Sequence, residues 1–417
     1  MTVACRGASA ARRTSPPRRA ALLAIVVVAA LLAACSTAPR LPVGEEQIAG
    51  AAPRGITQPV RFWGDSIGEE SRDTILAVEV VRARQVHRER LASEEPLRET
   101  ILALSGGGAD GAFGAGLLAG WTARGDRPEF DVVSGVSTGA IIGLLAFLGP
   151  DYDTALERFY TTYATDDLFT ASPFAALSGG PALLDASGFN AIVDAFIDDA
   201  VVARLAEEQA AGRILLIGTT NLDAARPVIW SVTDIAASGH PEAKALIRDV
   251  VRASAAIPAA MPPIVIPAVL PDGTRRDELH VDGGATQQVM LFSPELPIKE
   301  VDAVLGTEIE RTIYIIVNNA LSKPYAPVDL GVLSIAGKAV SSLIGGSGSG
   351  DLYKIYAIAG RDEVDFNVTW VPKSFDREPE ELFDPAYMRA LYDLGFERGL
   401  AGDAWRSHPP FFVPANR

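Results

Sequence analysis

The sequence predicts an α/β fold with a mainly parallel central sheet, and three observations carry that prediction. Short apolar runs of strand length, Thr100–Ser105 and Phe130–Val136, alternate with helix-forming stretches of ten or more residues. Both runs end in glycine-rich turns, as strand-to-helix junctions in such folds do. Three further β-rich runs follow: Arg213–Thr219, Pro227–Val232 and Arg311–Val317. With 417 residues, 48% of them hydrophobic, the chain can build one large α/β domain or two smaller ones.

Taken in order, the elements begin with a targeting segment. The first 34 residues carry Arg6, Arg12, Arg13, Arg18 and Arg19, no acid, and an unbroken apolar stretch from Ala20 to Ala34. That pattern reads as a signal peptide over 1–34, and a run of about 15 apolar residues is short of the ~20 that a spanning helix needs. The segment Leu32-Ala33-Ala34-Cys35-Ser36 resembles the lipobox of bacterial lipoproteins, in which the cysteine becomes the lipidated first residue. The resemblance implies a chain held in the cell envelope through lipidated Cys35. Ser36 is not the acidic residue that retains lipoproteins at the inner membrane, so the expected site is the outer membrane, facing the periplasm. Cleavage before Cys35 removes Cys5, which excludes an internal disulfide and a cysteine-built metal site. The formal charge of −15 becomes more negative with the loss of five arginines, and a nucleic-acid partner is excluded.

From Ser36 to about Pro59 the chain is rich in Ala, Pro, Gly and Thr without a sustained period, so 35–60 reads as the lipidated cysteine and a flexible tether. An N-terminal helical segment follows over 61–98, with Ile75, Val78, Val81 and Val86 spaced as an amphipathic helix that Pro96 closes. The core of the α/β pattern occupies 99–318. The remainder, 319–417, reads as an extension of loop plus helices packing on that domain, with Gly345–Gly350 as flexible loop and a helix near Pro385–Gly395. No internal repeat is present.

Three constellations carry chemistry. Gly135-Val136-Ser137-Thr138-Gly139 has the form of a nucleophile elbow, a turn so tight that the flanking positions cannot easily carry side chains and the serine hydroxyl is pushed into the open. About 30 residues earlier, Ser105-Gly106-Gly107-Gly108-Ala109-Asp110-Gly111 lets consecutive amides converge on one point, which suits an oxyanion. Gly106, Gly108 and Gly111 also fit the dinucleotide fingerprint Gly-x-Gly-x-x-Gly, but the acid that would hold a ribose, Asp131, stands at the start of the second strand instead of its end. Finally, Asp282-Gly283-Gly284 offers a carboxylate at a strand end, able to act as a base if a dry pocket raises its pKa.

These pieces, with the block Ala253–Pro263 between the last two, resemble the patatin-like family of lipid acyl hydrolases over Glu99–Val317. The resemblance implies a three-layer α/β/α fold, with a patatin-like catalytic domain at 99–318. It implies a Ser137–Asp282 dyad without a catalytic histidine, and an oxyanion hole built from Gly106, Gly107, Gly108 and the Thr138 amide. Gly111, Gly135, Gly139, Gly283 and Gly284 support the motifs. It implies further that no metal or organic cofactor takes part and that the substrate is a phospholipid or another acyl lipid, cleaved in the manner of a phospholipase A. One departure stands out: the family's basic residue in the loop is replaced by Asp110, which disfavours a nearby phosphate. The chain order Ser137, Asp282, His408 also allows a conventional triad, but His408 lies in the tail segment Ser407-His408-Pro409-Pro410. His280, two residues before Asp282, shares its side of the strand and reads as structural. An acyltransferase or thioesterase with the same dyad, and a non-catalytic lipoprotein binding or scaffold module, are the alternatives.

Overall fold

The computed structural model describes residues 40–88, 91, 96–172, 182–291, 295–321 and 327–412. The signal segment and Cys35 lie outside the described residues, as does the aromatic Phe174. Along the chain come β1 (Ala52–Pro53), β2 (Arg61–Trp63), α1 (Glu69–Val86), β3 (Leu97–Leu104), α2 (Gly111–Arg124), β4 (Val132–Val136), α3 (Thr138–Leu148) and α4 (Asp153–Thr162). Next are β5 (Thr170–Ala171), β6 (Leu184–Asp185), α5 (Ser187–Phe196), α6 (Asp199–Ala210), β7 (Ile214–Asn221), β8 (Arg226–Ser231), α7 (Val232–Ala237) and α8 (Ala243–Ser254). The last are β9 (Ile264–Val269), β10 (Arg275–Asp282), α9 (Lys299–Leu305), β11 (Ile309–Ala320), α10 (Val332–Arg361), β12 (Asp365–Val371) and α11 (Pro385–Ala401).

Ten strands form one sheet in the order β1-β9-β10-β7-β4-β3-β11-β12, with β8 on β7 and β2 on β8. The five strands β7, β4, β3, β11 and β12 run parallel to their neighbours in that series. On the far side of β7 the additions are antiparallel. Alternation along the strands separates two cores. Leu102 and Leu104 join the cluster formed with α2, α3, α8 and α11, whereas Ile101 and Ala103 join the opposite cluster, which the second half of α10 covers through Leu352, Ile355 and Ala359. Helices on both faces of the sheet make the three layers.

Two features of this frame set the site. Helix α2 packs on α11 through reciprocal glycines: a side chain at Gly116 or Gly120 would run into the carbonyls of Tyr392 and Phe396, and one at Gly395 or Gly399 into those of Phe113 and Leu117. The backbones therefore touch, and the loop before α2 is fixed to the C-terminal helix. Behind the sheet, Arg311 donates to Glu99 at 2.8 Å and Arg82 also bonds it, tying α1 to β3 and β11. Burial alone would raise Glu99, but the two guanidiniums hold its carboxyl at about 2.

Three expectations need correction. The stretch read as a tether is packed from residue 40 onward: Arg40 bonds Asp277 at 2.7 Å, the Val43 amide donates to the Asp277 carbonyl, β1 pairs with β9, and Ile56 and Val60 enter the main core. Its apolar residues are few but fall where the sheet margin needs cover. In α1, Val80 and Ala83 are buried while Val78 and Val81 are exposed, so the buried stripe is displaced from the one the spacing suggested. The run Gly345–Gly350, expected as a loop, lies within the 30-residue helix α10. Its flank is anchored by Asp351, which accepts from the Gln288 amide at 2.7 Å, and by buried Leu352 and Ile355. Tertiary contacts of that kind override the weak helix propensity of glycine.

Candidate active site

Between β4 and α3 the chain turns at Ser137 with φ 56° and ψ −125°, a positive φ that a residue with a side chain holds at a cost of about 1–3 kcal/mol. The turn is forced by close approach. A Cβ at Gly135 would strike the Gly139 carbonyl, and a Cβ at Gly139 would lie 2.5 Å and 2.6 Å from the carbonyl oxygens of Leu104 and Ser105. The strained residue is held from below, where the Ser137 amide donates to Ser254 Oγ at 2.9 Å and that hydroxyl donates to the Gly218 carbonyl at 2.7 Å. Ser254, at the end of α8, thus joins the elbow to β7.

Asp282 ends β10, where it stands opposite Thr219 of β7. Its amide donates to the Ala256 carbonyl at 2.9 Å, and its Oδ1 accepts the Gly284 amide at 2.7 Å. The Ser137 hydroxyl faces the carboxyl and pulls its pKa down as a donor does. Burial pushes Asp282 up to about 6, against the pull of these two donors. A carboxyl poised there can take a proton from a neighbouring hydroxyl near neutral pH. His280 is fully buried and serves a different network: Nδ1 lies 3.0 Å from Thr219 Oγ1, and Nε2 faces Glu278, itself paired with Arg61. Burial lowers the histidine's pKa. His408 contacts the Pro409 carbonyl and the Phe412 ring, and among the described residues it has no recorded contact with either Ser137 or Asp282.

The glycine loop follows β3 and is anchored by the end of β11. Asn318 receives a bond from neither partner in the site but donates twice to Ser105, from its amide to Oγ at 2.8 Å and from Nδ2 to the carbonyl at 2.9 Å. Asn319 Nδ2 donates to the Gly106 carbonyl at 2.8 Å. A side chain at Gly107 would run into the Asn318 carbonyl. Of the four amides expected at an oxyanion site, that of Gly106 is directed at the Gln288 carbonyl, 3.4 Å away. Those of Gly107, Gly108 and Thr138 have no hydrogen-bond partner among the described residues. Asp110 accepts from the Tyr387 hydroxyl of α11 at 2.6 Å, so the acid that replaces the expected cation is tied into the frame.

Above Ser137 sits an apolar cavity of about 40 Å³ whose walls include Ile141, Phe159, Phe169, Phe189, Met261 and Phe383. Phe159 and Phe169 are buried in the main core and also line this cavity. Tyr160 beside them is fully buried, and its hydroxyl hydrogen-bonds Thr138 Oγ1. Among the described residues no group of three or more His, Cys, Asp or Glu side chains converges to hold a metal ion. Of the supporting residues, Ser254 was named from the sequence only within the block Ala253–Pro263, and Gln288, Asn318 and Asn319 were not named at all. Asn318-Asn319 at the end of an apolar strand is a signal that could have marked that pair, because adjacent amides there need partners.

Residues 102–294 match the family model described as Patatin-like phospholipase. No curated protein matches the chain significantly. Among solved structures, VipD from Legionella pneumophila is similar at 13% identity and a TM-score of 0.36, over 75% of this chain and 68% of that one. Human GIVD cytosolic phospholipase A2 is similar at 11% identity and a TM-score of 0.29, over 68% of this chain and 50% of that one.

Proposed function

We propose, from the premise that residues 102–294 form a patatin-like phospholipase domain and the chain is an ester-hydrolysing enzyme of that class, that Ser137 and Asp282 are its catalytic dyad. Ser137 Oγ attacks the ester carbonyl of an acyl lipid while Asp282 takes the hydroxyl proton. The oxyanion of the tetrahedral intermediate is met by the unpartnered amides of Gly107, Gly108 and Thr138, at the N-terminal end of α3 where the helix dipole adds to them. Asp282 returns the proton to the leaving alcohol, and the acyl group remains on Ser137. Water then attacks with Asp282 again as base, releasing the fatty acid. The aromatic cavity receives the first carbons of the acyl chain, and at about 40 Å³ it opens before a longer chain enters.

One observation carries this reading: the Ser137 hydroxyl faces a buried carboxyl pushed up to about 6, beside amides of Gly107, Gly108 and Thr138 that have no partner among the described residues. Fatty-acid release from mixed lipid vesicles tests it. Ser137→Ala and Asp282→Asn are each expected to lower the rate by about 10³-fold or more, and His408→Ala to leave it within about twofold. Full activity in Ser137→Ala overturns it. We further propose that the enzyme works from the outer membrane on lipidated Cys35 after removal of 1–34. Cys35→Ser should then move the protein from the membrane fraction to the soluble one, and its staying in the membrane fraction would count against the anchor.

A further inference from the structure

A second cavity, of about 290 Å³, lies beside Ser105 at the start of the glycine loop. That volume is near the ~300 Å³ at which small-molecule sites begin. Its walls come from three elements: Ser105 and the end of β11 with Asn319, the segment carrying Gln288, and the glycine-serine stretch of α10 with Gly348 and Ser349. Gly106 stands between a wall residue of each cavity, Gln288 and Ser137. A Cβ there would lie 2.9 Å from Gln288 Oε1 and 3.1 Å from Ser137 Cβ, so the bare face of Gly106 lets the Gln288 amide and the candidate nucleophile approach one another.

Val289, Val317, Ala320 and Leu321 give the cavity an apolar wall, and its polar groups share one chemical character. Gln288 is 6% exposed, its Nε2 makes only a long 3.4 Å bond to the Gly284 carbonyl, and its Oε1 accepts nothing among the described residues. Asn319 spends Nδ2 on the Gly106 carbonyl and leaves its own oxygen without a donor among the described residues. Amides and hydroxyls both donate and accept, as sugar and glycerol hydroxyls require. Among the described residues no charged side chain lines the cavity. Beside it Asp351 holds the Gln288 and Val289 amides at 2.7 Å and 3.2 Å, and Lys354 acts on Asp351. A phosphate taken out of water here would lack the basic partners that compensate its desolvation.

Resting on the proposed Ser137 site, we propose that this cavity binds the alcohol half of the ester and selects an uncharged polyol over an anionic phosphate headgroup. Gln288 and Asn319 supply the hydrogen bonds, and the glycines of α10 supply the room.

The test compares four esters of one acyl chain with the full-length protein in neutral detergent: dioctanoylglycerol, octanoyl glucose, dioctanoyl phosphatidylglycerol and nitrophenyl octanoate. The expected kcat/KM for a polyol ester exceeds that for phosphatidylglycerol by at least about tenfold, and the better of the first two tells glycerol from sugar. Gly348→Leu places its Cβ 3.4 Å from Gln288 Cβ, an ordinary contact, and its branches in the cavity. It should lower the ratio of polyol-ester to nitrophenyl-ester kcat/KM by about tenfold. Equal or faster hydrolysis of phosphatidylglycerol, or an unchanged ratio in Gly348→Leu, overturns the proposal. The nitrophenyl ester keeps the two readings apart, since its hydrolysis reports on Ser137 whatever the alcohol site does.

Discussion

Gly106–Gly108 and Gly345–Gly350 are alike in composition and opposite in structure. The first is a loop in which the Gly107 and Gly108 amides have no partner among the described residues; the second is part of a helix that turns its bare face to a cavity. Glycine permits both outcomes, and the neighbours choose. At Gly106 the preceding strand stops, Asn318 and Asn319 occupy the Ser105 and Gly106 carbonyls, and no helical bond can form there. After Gly350 the buried Leu352 and Ile355 hold the helix on the sheet, and Asp351 pins it to Gln288 and Val289. A glycine run therefore reports freedom of backbone, and the groups able to hold its carbonyls and amides decide what becomes of it.

The largest effect that tests this contrast is expected at Gly107. A Cβ there would enter the space of the Asn318 carbonyl, so Gly107→Ala has to displace either the loop or the end of β11. If the loop amides stabilise the oxyanion, losing their aim costs about 10²–10³-fold in kcat. Fatty-acid release at saturating substrate measures it, with circular dichroism to verify that the fold persists. Activity within about threefold of wild type would mean that the loop is not the oxyanion site.

The same contrast explains what was legible in the sequence. The strand-helix rhythm, the elbow at Ser137 and the carboxylate at Asp282 follow from local patterns, because each needs particular residues at fixed spacing. Ser254 under the elbow, Tyr387 on Asp110 and Asp351 on Gln288 are contacts across 117, 277 and 63 residues, and no local pattern encodes them. The pairing of β1 and β2 at the sheet margin and the packing of residues 40–60 were missed for a related reason. These strands are short, β1 having two residues and β2 three, and they are ordered by pairing more than by their own propensity. In α10 the composition argued for a loop because glycine propensity is local, while the anchors are not.

A smaller effect comes from pH, since each glycine run has a buried carboxyl beside it. Burial pushes both Asp282 and Asp351 up to about 6, yet only the first is proposed to take a proton in the reaction. Hydrolysis should fall about tenfold per pH unit below 6, and Asp351→Asn should leave that break in place. Stability runs the other way. A carboxyl whose folded pKa is raised stabilises the fold most below its unfolded value near 3.8 and loses that contribution as pH rises toward 6. Asp351→Asn keeps an acceptor for the Gln288 and Val289 amides without the titrating charge, so its stability curve between about pH 4 and 6 should be flatter, by about 1–3 kcal/mol across the interval. Urea melts at several pH values measure this. A break in rate that moves with Asp351→Asn would assign the kinetic pKa to the helix side instead of to Asp282.

The smallest effect is expected where the helix glycines touch nothing. Gly350 lies within α10 with open space around the position of a Cβ and with no positive φ, and it stands outside the cavity lining. Gly350→Ala removes backbone freedom from the unfolded chain without displacing any neighbour, and it should raise stability by about 0.5–1 kcal/mol. The comparison with Gly107→Ala is then complete: one methyl group added to each run, a loss of function in the loop and a gain of stability in the helix. A urea midpoint that falls in Gly350→Ala would show that this part of α10 is not helical in solution, and the contrast between the two runs would collapse.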